Sequence, residues 1–81
     1  GLAIELKPRR VNVISPGVVD SPTWASMSDA ARQKFFQGAA ESLPVGRVGA
    51  VQDIAHAAVS LMENGFISGT VLSVDGGGRI A

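Results

Sequence analysis

Few side chains in this sequence could do chemistry, and no two of them stand at a catalytic spacing. His56 is the only histidine, and cysteine and tyrosine are both absent. A histidine acting as base or metal ligand needs partners held at a defined offset. His56 has none, and it lies about 140° round its helix from Val51 at ~100° per residue, off the apolar face. We read it as solvent-facing. Ser15 and Ser21 have no base at hand, so a serine hydrolase is excluded. Without cysteine there are no disulfides and no thiolate metal sites. No residue is assigned a catalytic or metal-binding role. Gly76-Gly77-Gly78 could suggest a phosphate cradle, but such a loop needs a following helix to meet the anion. Only Arg79, Ile80 and Ala81 remain, so the run reads as a tight turn closing a strand.

Ser15 to Thr23 is the better candidate for binding. In open α/β sheets ligands sit beyond the carboxyl ends of the strands, and Pro16-Gly17 falls at such an end. Proline sets the turn, and glycine lets the backbone approach a ligand closely. On the residues alone, two readings stay open: a ligand-binding loop, or a turn that ends a strand and leads to a helix cap.

Regular elements must hold this loop. Leu2, Ala3 and Leu6 follow helical spacing until Pro8. Lys7, Arg9 and Arg10 then form a small basic cluster that suits the end of that helix. Val11-Asn12-Val13-Ile14 reads as a buried strand, in which the Asn12 amide needs hydrogen-bond partners. Ser28 and Asp29 cap a helix over Asp29 to Leu43, with Phe35, Phe36, Ala39, Ala40 and Leu43 as its apolar stripe. Gly38 weakens it by ~1 kcal/mol, so this helix is expected to be mobile or to lean on other structure. Pro44 to Gly49 is a loop, in which Arg47 caps carbonyls or faces a neighbouring subunit. In the next helix Val51, Ile54, Ala55, Ala58, Val59, Leu61 and Met62 make one apolar face. Asp53 suits its first turn, and Asn64-Gly65 ends it. After a turn at Ser68-Gly69, Thr70 to Val74 forms a second buried strand. Two apolar strands with helices between them imply a parallel pair joined by a right-handed crossover. Parallel sheets are normally covered on both faces. This unit is therefore expected to be the edge of a larger α/β sheet and not a stable fold by itself.

The 81 residues carry 7 basic and 7 acidic side chains, with 46% hydrophobic residues. A net charge of zero gives no electrostatic reason to expect nucleic acid or an anionic membrane as partner. No apolar run reaches the ~20 residues of a membrane span. The lack of cysteine suits a reducing cytoplasm. Apolar content this high in so short a chain points to burial against something else. The opening Gly1-Leu2-Ala3-Ile4-Glu5-Leu6-Lys7 reads as the last turns of a helix already under way.

Three segments, in order and spanning nearly the whole chain, resemble the C-terminal portion of the short-chain dehydrogenase/reductase family. The first runs Glu5-Leu6-Lys7-Pro8-Arg9-Arg10-Val11-Asn12-Val13-Ile14-Ser15-Pro16-Gly17. The second is Pro44-Val45-Gly46-Arg47-Val48-Gly49 followed by Gln52-Asp53-Ile54-Ala55. The third is Ile67-Ser68-Gly69-Thr70-Val71-Leu72-Ser73-Val74-Asp75-Gly76-Gly77. The resemblance implies an α/β fold, the C-terminal part of a Rossmann-like doubly wound parallel sheet, with residues 1–81 as the last segment of one NAD(P)-binding domain. It implies an oxidoreductase moving a hydride between NAD or NADP and a carbonyl or alcohol substrate. The family's glycine-rich loop and its catalytic Ser, Tyr and Lys would lie upstream, so this piece alone is expected to be inactive. Its partners would be the N-terminal part of the same enzyme and further copies, as a dimer or tetramer built on the last strand and its neighbouring helix.

The resemblance also assigns roles. Pro16, Gly17, Val18, Val19 and Ser21 would form the nicotinamide side of the cofactor site. Val19 would hold the carboxamide through its main-chain N–H and C=O. Ser21 stands where the family often has Thr, and its hydroxyl would bind the carboxamide or the pyrophosphate. Trp24 and Met27 would belong to a lid over the substrate, while Phe35 and Phe36 read better as ordinary helix packing. The rival reading is a truncated, non-catalytic relative that binds or oligomerises.

Overall fold

In the computed structural model, which describes residues 1–80, helix α1 (Leu2–Glu5) leads into strand β1 (Val13–Pro16). Strand β2 (Val19–Asp20), a 3₁₀ turn at Pro22–Trp24 and helix α2 (Asp29–Ser42) follow. Strand β3 (Gly49–Ala50) then runs into helix α3 (Val51–Glu63), strand β4 (Val71–Val74) and a 3₁₀ turn at Gly78–Ile80. β1 and β4 pair in parallel, with Val13 opposite Val71 and Pro16 opposite Val74. That is the parallel α/β arrangement the sequence implies.

β1 is displaced two residues from the expected strand at 11–14. Its partner turns at Ser68–Gly69, so residues 11 and 12 are held by other means. Gly69 N–H donates to the Val11 carbonyl at 2.8 Å, and the Ser68 hydroxyl accepts from Val11 N–H at 3.2 Å. The Asn12 amide bridges this junction, donating to the Ile67 carbonyl and accepting from Thr70 N–H, both at 3.1 Å. The polar residue that looked costly in a strand thus satisfies two backbone groups where the ladder fails. At the far end the strand continues through Pro16. Val13 and Gly17 donate to the Thr70 and Val74 carbonyls, and alternate residues face one neighbour in a parallel ladder. The N–H that Pro16 lacks would therefore face away from β4, where its loss costs no bond.

β2 pairs in parallel with β3, Val19 opposite Gly49 and Asp20 opposite Ala50. Neither strand is evident in the sequence, because two-residue ladders have no periodicity to detect.

α3 covers the sheet face that carries Ile14 and Leu72. Ala57 and Leu61 are the only buried apolar residues among those described. The predicted single apolar face is too broad. Ile54, Ala57, Ala58 and Leu61 turn inward, whereas Val51, Ala55, Val59 and Met62 form a second, exposed stripe, Met62 at 66%. On the other face of the sheet Val13 and Val71 are exposed. The radius of gyration is 15.4 Å, above the roughly 12 Å of a closed domain of this length. Both faces of the sheet are thus partly open among the described residues.

α2 starts as expected: the Ser28 hydroxyl accepts from Ala31 N–H at 3.2 Å. It buries no residue. Its anchors are aromatic contacts at mid-helix, through Phe35 and Phe36, and Leu43 just past its end.

Candidate functional site

β1 ends against β4 with almost no space. Gly17 N–H donates to the Val74 carbonyl at 3.1 Å, and a Cβ at Gly17 would fall 2.7 Å from Cα of Asp75. The close approach this glycine permits within the chain is to Asp75. Pro16 and Gly17 thus pin the loop to β4, and the β2–β3 pairing pins its continuation to the start of α3.

Between these two anchors lies an open hollow of about 570 Å³. Pro16, Gly17, Val19 and Ser21 line it with Thr23 and Trp24, and Val51, Ile54 and Ala55 of α3 form the facing wall. Four of the five residues assigned to cofactor binding are brought together here. Val18 is not: its side chain lines a smaller cavity of about 140 Å³ with Leu43, Val45 and Val74, and its carbonyl accepts from Gly49 N–H. Ser21 precedes the 3₁₀ turn but its hydroxyl caps no amide there.

Trp24, assigned to the lid, borders the hollow. Its indole Nε1–H donates to the Val19 carbonyl at 2.8 Å. Its ring lies 4.9 Å from that of Phe35 and 5.8 Å from that of Phe36, centroid to centroid. Such spacings are attractive for aromatic pairs. Phe35 and Phe36 are therefore packing residues, as read from the sequence, but what they pack is the candidate lid residue. Met27 is half-buried, outside the walls of the hollow, and its N–H donates to the Trp24 carbonyl at 3.1 Å.

The wall formed by α3 is braced by two arginines: Arg47 does cap a carbonyl, donating to that of Val48 at 3.1 Å, but its carboxylate partner and the partners of Arg10 were missed in the sequence. Arg47 spans the Asp53 carboxylate with two bonds, 2.9 and 3.2 Å, and Asp53 also accepts from Ala50 N–H at 2.7 Å. The Arg47 hydrogen bonds, then the Ala50 amide, pull the Asp53 carboxyl from its ordinary 3.8 to about 2. Asp53 serves Arg47 and the β3–α3 junction, beyond its favourable place in the helix dipole. Arg10 belongs to the other end of α3, not to α1. Its guanidinium donates to the carbonyls of Leu61, Met62, Asn64 and Ile67 at 2.8–3.2 Å. Asn64 has φ −91° and no left-handed cap closes the helix, so Arg10 satisfies the carbonyls that helix ends leave bare. The signal available in the sequence was weak: one of two adjacent arginines, more than fifty residues away.

The glycine run after β4 has a steric cause. Cβ atoms at Gly76, Gly77 and Gly78 would meet Val45, Pro44 and Leu43 at 2.7, 2.8 and 3.1 Å. Gly76 and Gly77 also have φ of 63° and 85°, which L-residues rarely adopt. Asp75 closes the turn by accepting from Gly77 N–H at 3.0 Å. His56 is exposed on α3.

The parallel strands, the crossover helix and a hollow at the strands' carboxyl ends define a Rossmann-type α/β protein. The family model described as enoyl-(acyl carrier protein) reductase matches residues 1–78. The chain belongs to the short-chain dehydrogenase/reductase family. It is 43% identical over 70 residues to the 3-oxoacyl-[acyl-carrier-protein] reductase FabG of Chlamydia trachomatis, covering 84% of this chain and 27% of that protein. It is 38% identical over 71 residues to the 3-oxoacyl-[acyl-carrier-protein] reductase of Rattus norvegicus, covering 88% of this chain and 27% of that one. Among solved structures, a small-chain dehydrogenase in complex with NADPH superposes with a TM-score of 0.92 at 41% identity, over 99% of this chain and 36% of that one. The MalC reductase/Diels-Alderase of Malbranchea aurantiaca gives a TM-score of 0.90 at 31% identity, over 99% and 31%. The chain thus spans about a quarter to a third of the length of these proteins. No helix among the described residues is long and apolar enough to cross a membrane.

Proposed function

We propose that this chain is the C-terminal segment of a single NAD(P)-binding domain, and that the whole enzyme moves a hydride between NAD or NADP and a carbonyl or alcohol carbon. The observation that carries this reading is the convergence of Pro16, Gly17, Val19 and Ser21 on one hollow at the strands' carboxyl ends, with Trp24 at its border. The chemistry of that hollow suits a nicotinamide. Its walls are largely apolar, which suits a flat ring. The Val19 carbonyl already accepts an N–H there, so an amide N–H can be received at the same atom. When bound, the cofactor supplies the hydride donor or acceptor.

The chain's own residues then bind, orient and exclude water. The Val19 main chain holds the carboxamide, and the Ser21 hydroxyl is placed to add a second bond. Val51 and Ile54 keep the facing wall dry. Trp24, carried with Phe35 and Phe36, forms the inner surface of a lid that closes over substrate, and Met27 supports it from behind. Acid–base catalysis belongs to residues on the N-terminal part of the same enzyme, so the 81 residues alone do not turn over substrate. The names of the bacterial and mammalian relatives favour a 3-oxoacyl carbonyl as the substrate class. Val59 and Met62 of the exposed stripe of α3, with the strand β4, are the surface through which copies associate as a dimer or tetramer, in the cytoplasm.

The test is a hydride-transfer assay of the complete protein with NADH and NADPH against carbonyl substrates, a 3-oxoacyl thioester among them. Turnover with one of the two cofactors is expected. A Tyr-x-x-x-Lys shortly before Gly1 in the parent polypeptide is the matching sequence expectation. Neither cofactor binding nor turnover would leave a binding or oligomerisation piece in place of an enzyme.

A further inference from the structure

A half-buried main-chain carbonyl that faces a ligand cavity is costly when nothing donates to it, because it has given up water without replacement. The Val19 carbonyl avoids that cost here by accepting from the indole of Trp24 at 2.8 Å. The donor is a planar ring bearing one N–H, and it borders the same hollow as Pro16, Gly17 and Ser21. We propose that Trp24 is a stand-in for the ligand's amide: its indole N–H occupies the Val19 carbonyl in the free protein and is displaced when a carboxamide takes that acceptor. This rests on the nicotinamide reading above and adds a positioning role that the reading does not require.

The displacement has a mechanical consequence. Trp24 lies tilted against Phe35 at 4.9 Å and meets Phe36 edge to face at 5.8 Å, and both belong to α2, which buries no residue of its own. A shift of the indole therefore passes to α2 through these two rings. Seating of the carboxamide and release of the lid helix are then one event. The ligand exchanges one hydrogen bond for another at Val19, and α2 is freed to close over substrate. In the absence of ligand the same bond keeps the carbonyl satisfied and the helix parked.

The experiment compares two probes on the complete protein: the dinucleotide (NAD⁺ or NADP⁺, whichever binds), and ADP-ribose or its 2′-phosphate, which lack the carboxamide. The indole N–H resonance of Trp24 is followed by NMR, assigned by its disappearance in Trp24→Phe. The dinucleotide should move that resonance, and the ADP-ribose probe should leave it in place. Trp24→Phe keeps a ring beside Phe35 and Phe36 but removes the competing donor. It should bind the dinucleotide about 2- to 10-fold more tightly, the range expected for one hydrogen bond that no longer has to be broken. Its affinity for the ADP-ribose probe should be unchanged. A dinucleotide that binds without moving the indole resonance would overturn the inference alone. So would a Trp24→Phe variant that shifts both probes equally, since that marks a merely structural role. Failure of the complete protein to bind any dinucleotide would overturn the proposed function and this inference together.

Discussion

The two helices α2 and α3 lie on either side of the same loop and are held by opposite means. α3 contributes both side chains that are buried among the described residues, Ala57 and Leu61. Its first turn is tied to Arg47 through Asp53, and its last turn to Arg10 through four carbonyls including those of Asn64 and Ile67 just beyond it. α2 buries nothing and is fastened by three aromatic rings, one indole hydrogen bond and its terminal Leu43. Fixed walls position a ligand, and a weakly fastened element can move over it. Low local stability is the usual property of lids. The difference teaches which half of the hollow is scaffold and which half is adjustable.

Substitutions on the scaffold side should therefore cost stability, and those on the lid side should cost function. The largest effect is expected for Gly17→Ala. Its Cβ would stand 2.7 Å from Asp75 Cα, backbone against backbone, so one strand end must shift. We expect about 3 kcal/mol of lost stability, at the upper end for overpacking, read as a denaturant midpoint of the complete protein. A midpoint within error of the parent would show that the β1–β4 junction is looser than the geometry implies.

Arg10→Ala should come next, at about 2 kcal/mol, because it strips a charged donor from the end of α3. Hydrogen exchange should rise first at amides of the last turn of α3 and leave α2 unchanged. Equal loosening of both helices would erase the contrast between them.

Asp53→Asn separates the two helices by pH. The Asp53 carboxyl is depressed in the folded chain, from 3.8 to about 2. A depressed group stabilises the fold fully above its unfolded value, and that stabilisation is lost as pH falls through the folded value. The parent should thus be more stable than Asp53→Asn above pH 4, and the gap in melting temperature should close between about pH 4 and 2. A gap that persists at pH 2 would mean that the Arg47 pairing is not what Asp53 contributes.

The smallest stability change belongs to Phe35→Ala. Phe35 is 40% exposed, and its two aromatic contacts, with Trp24 and Phe36, sum to about 1 kcal/mol at the lower end of the range for such pairs. The melting temperature should hardly move, while KM for the carbonyl substrate rises severalfold. A large fall in stability with unchanged KM would place α2 in the scaffold.

Several of these features were legible before the structure. The hydrophobic spacing located α3 and α2, and the β-branched runs located β1 and β4 to within two residues. Pro16-Gly17 marked the end of β1 to within a residue, although Pro16 stays in the ladder opposite Val74 and Gly17 is there to pass Asp75 and not to turn. What was missed is informative. The single apolar face assigned to α3 was in fact two stripes, because hydrophobicity records which residues avoid water and not which surface they meet. Arg47 with Asp53, and Arg10 with the end of α3, were hidden because a charged side chain has many possible partners and only proximity selects one. β2 and β3 were invisible because each is two residues long.

Residue types and spacing by themselves determined the parallel strand–helix–strand order, the capped start of α2 and the place where the chain must turn. Those depend on local backbone preferences and on the period of apolar residues. Only the tertiary structure decided that Gly17 makes room for Asp75, that Val18 leaves the hollow its neighbours line, and that Trp24 reaches back to Val19. Each of these rests on a distance between elements, and distances between elements follow from packing, which no local rule encodes.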